Sequence, residues 1–423
     1  MMEQPGTFQH QRPFGESELD PNNRFLFKLF RRYYRSFTPE MPDRFTKKEY
    51  GFIPFGKTMQ RHIAFANPDE LKTYMFSKVP AHSYYSTAYY RHPSMPLMED
   101  KEWMGAELIF DLDADHLAGA EEMTYSEMMV QIRKEMISLV DDFLYSDLGF
   151  SEKQVNICFS GGRGYHAHIR TNDIYTLGTN ERRELVDYVS CMGLDLDWVF
   201  PNHTTAIGAN SIGNGLTRSS VKTFRLIPSE ESGGWKLKMR ECLKLICKNI
   251  IEEDPKKIKA IYPSIKTSVQ NLENLKNHLR QSETKLFSTN SMMELTAAEQ
   301  DILMKALKDV APTLSSEVDK PVTPDIKRLI RLPGSLHGKT GLRVTPITRD
   351  QLTDYDPLQY AVPEVYSSDP VKVPMRKDMD LYMLGEHMSL KGETEVPEFA
   401  APLLIGRKYA SYGWNSEQKQ KLF

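Results

Sequence analysis

Two aspartates two positions apart, Asp111 and Asp113 in AELIFDLDAD, are where side-chain type and spacing most directly suggest chemistry. Successive side chains of a strand point to opposite faces, so both carboxylates project to one side, about 7 Å apart along the backbone. Two such charges repel, and at least one pKa rises unless a cation sits between them. Divalent Mg²⁺ or Mn²⁺ does this: these hard ions take oxygen ligands and keep positions for water and substrate phosphates. The competing reading is an edge strand with its aspartates in water, the ordinary fate of this residue type. The apolar LIF before the pair and aspartate's poor fit to strands favour the ion. Asp115 and His116 follow in DADHLAGA, which reads as an exit loop.

A second group lies in CFSGGRGYHAHI, residues 158–169. Here two strand-like stretches are joined by GGRG, a compact turn whose glycines can take positive φ and bring backbone N–H groups close to an anion. Ser160, Arg163 and His166 would surround that anion, and a phosphate chain is its natural form. His166 and His168 share a face of the returning strand. His-x-His also suits zinc, but no cysteine cluster or third histidine is near in sequence. A plain glycine hairpin with a solvated arginine is the simplest alternative.

The third group is SSEVDKPVTPDIKRLIRLPGSLHGKTGLRV, residues 315–344. Thr323-Pro324-Asp325 reads as a helix start, with a threonine cap, proline in the first turn and an acid at the positive end of the dipole. Asp325 then has a structural task. Asp319 has none and is the better candidate for a third carboxylate on the metal. Arg331 and His337 fall at the end of that helix and in its Pro-Gly turn, where they would meet phosphates.

The elements that must hold these groups are α/β in character. Short β-type segments (YGFIPF, RHIAFA, AELIFDLD) surround a helical stretch near PDELKTYMF. A long helix covers EEMTYSEMMVQIRKEMISLVDDFLYSDLGF, followed by the hairpin QVNICFS and YHAHIR and a helix in NERRELVDYVSCM. RFLFKLFRRYYRSF makes an amphipathic helix with Phe25, Leu29, Phe30, Tyr33 and Phe37 along one stripe. From 230 to 310 the pattern turns helical, and we expect a catalytic core of residues 1–229 and 311–423 with a helical subdomain of 230–310 between its parts. A proline-punctuated tail closes the chain.

Composition is that of a folded globular protein. Of the 423 residues 40% are hydrophobic and 26% charged, and a net charge of −3 excludes a uniformly basic coat, so nucleic-acid contact must come from local patches. No apolar run approaches the ~18 residues of a membrane span, and the polar, proline-broken start lacks a secretory core. The four cysteines form no CxxC pair and read as buried thiols of a reducing, cytoplasmic setting.

Taken in order, LIFDLDADHL, FSGGRGYHAH and VTPDIKRLIRLPGSLHGKTGL resemble the small catalytic subunit of archaeal and eukaryotic-type DNA primases, in the archaeal variant. The resemblance extends from FRRYYRSF through YYSTAYYR to VPEFAAPLLIGRKYA. It implies a primase-polymerase core with an RRM-like sheet and a smaller helical subdomain. It implies that Asp111, Asp113 and Asp319 are catalytic metal ligands, and that Ser160, Arg163, His166, Arg331 and His337 hold the triphosphate. Arg61, in QRHIAFA, falls near a family arginine of the nucleotide pocket.

The implied activity is template-directed synthesis of short RNA primers, with DNA as a further product, on single-stranded DNA. It uses NTPs or dNTPs, Mg²⁺ or Mn²⁺, and a primase large subunit as heterodimer partner. The family's zinc-binding cluster has no counterpart in HLAGAEEMTYSEMMVQI, which contains no cysteine, so no structural zinc is expected. Two other functions share these motifs: a repair-type polymerase that only extends primers, and a silent nucleotide-binding module of a replication complex. The intact acids argue against silence.

Overall fold

In the structure, a computed structural model, residues 16–117, 119–211 and 217–413 are described. The chain divides into two compact units, one of residues 1–140, 150–183 and 318–423, the other of residues 141–149 and 184–317.

The first unit carries two four-stranded antiparallel sheets. One has the order Leu329–Arg331, Pro80–Ser86, Tyr50–Pro54, Gln60–Ile63. The other runs Thr345–Ile347, Val155–Phe159, Gly164–Ile169, Leu108–Asp113, so the strand of the paired aspartates lies at a sheet edge. Leu108, Phe110 and Leu112 are fully buried and fix the register against Gly164–Ile169, with Asp111 opposite His166. Every residue of Gly164–Ile169 is buried, so both faces of this strand are covered. Helix Tyr125–Ser138 packs on it, opened by a reciprocal cap between Thr124 and Glu127.

Several sequence expectations change here. The long helix narrows to Tyr125–Ser138 and then widens into a π-helical stretch, Leu139–Tyr145. The amphipathic helix spans Pro21–Arg35, capped by Asp20, and its buried stripe takes in Leu26, Phe27 and Tyr34 with Leu29 and Phe30. Phe25 lies off that stripe and stacks on Tyr412 instead, with ring centroids 4.6 Å apart. No helix starts at Thr323. Its hydroxyl donates to the Ile109 carbonyl at 2.6 Å, the Asp325 carboxylate accepts from the Lys327 amide at 3.0 Å, and the chain passes through turns into strand Leu329–Arg331. The bonds of Asp319 and Thr323 to the strand of the paired aspartates hold this segment in turns along that strand instead of in a helix. The tail contains paired strands, Pro370–Pro374 with Glu393–Pro397 and Met379–Met383 with Glu386–Leu390, before helix Ala401–Gly406.

The second unit holds helices Gly234–Glu252, Val269–Ser288 and Ala297–Val310, packed through residues such as Leu243, Leu275 and Leu303. The expected 230–310 lies inside this wider unit. Segments before 230 are tied to the helices by backbone bonds from Ile227 to Asn290 and from Met292 to Arg225, and by the Trp235 indole on the Tyr188 carbonyl. They include a two-stranded ribbon, Asn202–Ser211 with Thr217–Arg225. Cys158, Cys242 and Cys247 are buried free thiols, and Cys191 is half-buried. No described helix is long and apolar enough to cross a membrane.

Candidate active site

The acidic strand sets the site's geometry. Its outer edge is taken by the loop carrying Asp319: the Asp319 amide donates to the Asp111 carbonyl at 2.7 Å, and Thr323 to that of Ile109. Carbonyls two residues apart point to the same side, so this loop runs along the free edge and seals it. Asp319 thereby joins Asp111 and Asp113. Burial raises the Asp111 carboxyl to about 7, with Asp113 and then Asp319 adding to the rise and Arg328 and Arg331 opposing it. The His166 Nε2 lies 3.3 Å from the Asp111 Oδ1. As the side chains stand, no three His, Cys, Asp or Glu groups among the described residues converge closely enough to cage an ion. In kind the donor set suits a hard divalent cation, since all three acids offer carboxylate oxygens.

Beside it the glycine turn is held from behind. The carbonyls of Gly161, Gly162 and Arg163 accept from the Thr340 hydroxyl at 2.5 Å, the Tyr125 hydroxyl at 2.7 Å and the Ala114 amide at 3.1 Å. With its oxygens committed, the turn has amide hydrogens to offer an anion. Gly161 has φ +74, and a Cβ there would stand 2.9 Å from that of His337. At Gly164 a Cβ would run into the Leu112 carbonyl. These two glycines are therefore required by the fold. Ser160 is buried and accepts from the Gly162 amide at 3.2 Å. Arg163 is ion-paired with Asp115 and lies 3.9 Å from Asp113.

The third group arrives from strand Leu329–Arg331 and the loop after it. Arg331 donates to His82 Nδ1 at 2.6 Å and lies over the Tyr84 ring, 4.5 Å from its centroid. Burial, then the charges of Arg331 and Lys339, push His82 down to about 3, so this imidazole is neutral and acts as acceptor. His337, 6% exposed, accepts the Lys339 amide at Nδ1 at 3.3 Å. That leaves the proton on Nε2, which faces Gly162. Burial and the neighbouring cation Arg331 hold its pKa well below the ordinary value. His166 is shifted in the same direction, chiefly by burial, and its Nδ1 is buried without a partner.

Of the sequence-selected residues the fold gathers Asp111, Asp113, Asp319, Ser160, Arg163, His166, Arg331 and His337 around one region of the first unit. Arg61 stands apart from them. It lies on Gln60–Ile63, the strand at the other edge of its sheet from Arg331, and pairs through Nε at 3.0 Å and Nη2 at 3.3 Å with the buried Glu49. Sequence reasoning passed over His82, Tyr84, Tyr125 and Thr340, and set Asp115 aside as an exit-loop residue. The one local signal was the alternation of His82 and Tyr84 in PAHSYYS, which puts them on one face; their pairing with Arg331 has no trace in sequence.

Comparison with known proteins adds an independent line. The family model for the DNA primase small subunit matches residues 110–349. The chain is 38% identical to the DNA primase small subunit PriS of Methanococcoides burtonii, over 92% of this chain and 98% of that protein. It is 37% identical to PriS of Methanocella arvoryzae over 93% and 99% of the two chains. With PriS of Picrophilus torridus the identity is 36%, over 90% and 96%.

Proposed function

This chain belongs to the DNA primase small-subunit family, and from that premise we propose that it makes primers by nucleotidyl transfer at the cluster of Asp111, Asp113 and Asp319. The observation that carries the assignment of the site is the juxtaposition of three carboxylates, Asp111 among them displaced to about 7, with a glycine turn whose Gly161, Gly162 and Arg163 carbonyls are all committed to hydrogen bonds. Such a pairing suits a reaction in which a polyphosphate and its cations enter together. Primer synthesis is the family function, and the small-subunit identity implies a large-subunit partner.

Asp111, Asp113 and Asp319 would hold Mg²⁺ or Mn²⁺, which when bound supplies charge neutralisation at the α-phosphate and activation of the attacking 3′-hydroxyl. The protein groups orient the rest. Arg163 exchanges its bond to Asp115 for a phosphate oxygen once cations satisfy the acids. His337 donates from Nε2, and Ser160 and the turn amides fix the chain's direction. Arg331, held by His82 and Tyr84, supplies a fixed positive charge against the developing negative charge of the leaving pyrophosphate. We further propose that the first unit is the primase-polymerase core with its RRM-like sheet, and the second a subdomain inserted in sequence.

The test is label incorporation on single-stranded DNA without a primer, with nucleotides and Mg²⁺ or Mn²⁺, with and without a large subunit. Short products from the wild type that vanish in Asp111→Ala are the expected result. Product only on a supplied primer would make this chain an extending polymerase, and no product under either condition would make it a binding module.

A further inference from the structure

The polyphosphate site has a wall that its motifs do not supply. Helix Ala401–Gly406, near the end of the described chain, is jammed against the loop that carries His337 and Lys339. A Cβ on Gly406 would lie 2.7 Å from the Lys339 backbone, and one on Gly341 would collide with Pro402. The same loop reaches the glycine turn through Thr340 and Gly161. Turn, loop and helix are thus three layers in contact, and the residue that leaves the helix at its end is Arg407.

Arg407 is half-buried and has no acidic partner among the described residues, whereas Arg163 has Asp115 and Arg240 has Glu230. Its charge bears on both Arg163 and His337, two groups already assigned to the phosphates. Packing a cation without a counter-charge beside another cation and a neutral imidazole is unfavourable unless an anion completes the group.

We propose that Arg407 is a substrate-contacting residue, donating to the polyphosphate of the incoming nucleotide from the C-terminal side of the pocket. The inference rests on the reading of this region as the nucleotide site. It means that the helix Ala401–Gly406 is part of the active site's construction as well as of the core.

The experiment measures equilibrium binding of inorganic tripolyphosphate by calorimetry to the full chain, alongside KM and kcat for nucleotide addition. The proteins compared are wild type, Arg407→Ala, Arg407→Lys, His337→Ala and, as a charge-matched control in the same tail, the exposed Arg376→Ala. We expect Arg407→Ala to weaken tripolyphosphate binding and raise KM about 10- to 100-fold, Arg407→Lys to recover part of this, and Arg376→Ala to match wild type. Should Arg407→Ala fail to fold, Arg407→Gln carries the same expectation. Wild-type binding by Arg407→Ala while His337→Ala has lost it would overturn the role of Arg407 and leave the site intact. Absence of tripolyphosphate binding by the wild type would overturn both.

Discussion

His166 and His168 stand two residues apart on one strand, their ring centroids separated by 6.0 Å, yet they belong to charge clusters that meet burial in opposite ways. Around His168 the circuit is closed. Glu107, with no exposed surface, receives Lys48 at 2.7 Å, His168 at 3.1 Å and the Tyr89 hydroxyl at 3.2 Å, and is ion-paired with Arg170 at 3.2 Å. Burial alone would raise Glu107, but Lys48, His168 and Arg170 hold it well below the usual carboxylate range. Lys48 also donates to the Thr87 carbonyl and lies 3.8 Å from the Tyr89 ring centroid. Around His166 the circuit is open: Asp111 is displaced upward, and His166 Nδ1 has no partner among the described residues. The same residue types serve as scaffold where every charge is answered from within, and on the proposed reading as a site where a ligand supplies the answer.

The sharpest way to break this comparison is to remove the acids of the open cluster. Asp111→Ala, Asp113→Ala and Asp319→Ala should each lower nucleotide addition on the order of 10²–10³-fold or more, by analogy with loss of one preorganised electrostatic group. Circular dichroism should stay near wild type and the melting temperature should not fall. A large fall in melting temperature would mean that this cluster too is scaffold.

The closed cluster should behave in reverse. Glu107→Ala leaves Lys48 and Arg170 unanswered in the interior and should cost about 3–5 kcal/mol in denaturant unfolding. Activity per folded molecule, measured at low temperature, should be largely kept. Loss of activity without loss of stability would show that the two clusters act as one.

Asp111→Asn separates them through pH. Because the folded carboxyl sits at about 7, above its unfolded value, its contribution is fully present below about pH 4 and is lost as pH rises through about 7. The metal-free wild type should therefore be less stable at pH 8 than Asp111→Asn, by up to about 4 kcal/mol. The two should converge near pH 4. Mn²⁺ or Mg²⁺ should raise the melting temperature of the wild type at pH 8 and do little for Asp111→Asn. A pH-independent difference between the two proteins would remove the carboxylate repulsion from the account.

The smallest expected effect is that of Tyr89→Phe, which takes one of several donors from Glu107 and should cost about 1–2 kcal/mol with no change in KM. A much larger loss would show that the closed network depends on each member.

Much of the open cluster is legible in the sequence because strand periodicity is local. Asp111 and Asp113 share a face by chemistry and spacing alone, and GGRG declares a tight turn between two β-type runs. The closed cluster is almost invisible there. Lys48, Glu107, His168 and Arg170 are spread over 123 positions of the chain as isolated charges, each of the kind that usually faces water. The expected helix at Thr323 failed for the same reason: its capping signature is real, but bonds from Asp319 and Thr323 to the Asp111 strand, over two hundred residues earlier, hold the segment in turns along that strand.

What the sequence by itself determined is the chemistry on offer and its local direction: three acids, a tight glycine turn, and the arginine and histidines that follow. Which of them meet was decided by the tertiary structure. Strand pairing and loop packing set Asp319 along the edge of the Asp111 strand, gave Arg331 to His82, drew Arg61 to Glu49, and laid a C-terminal helix on the loop of His337. Those partnerships rest on long-range hydrogen bonds and on burial, which raises the cost of every unanswered charge. That cost has no value until the chain has closed around it.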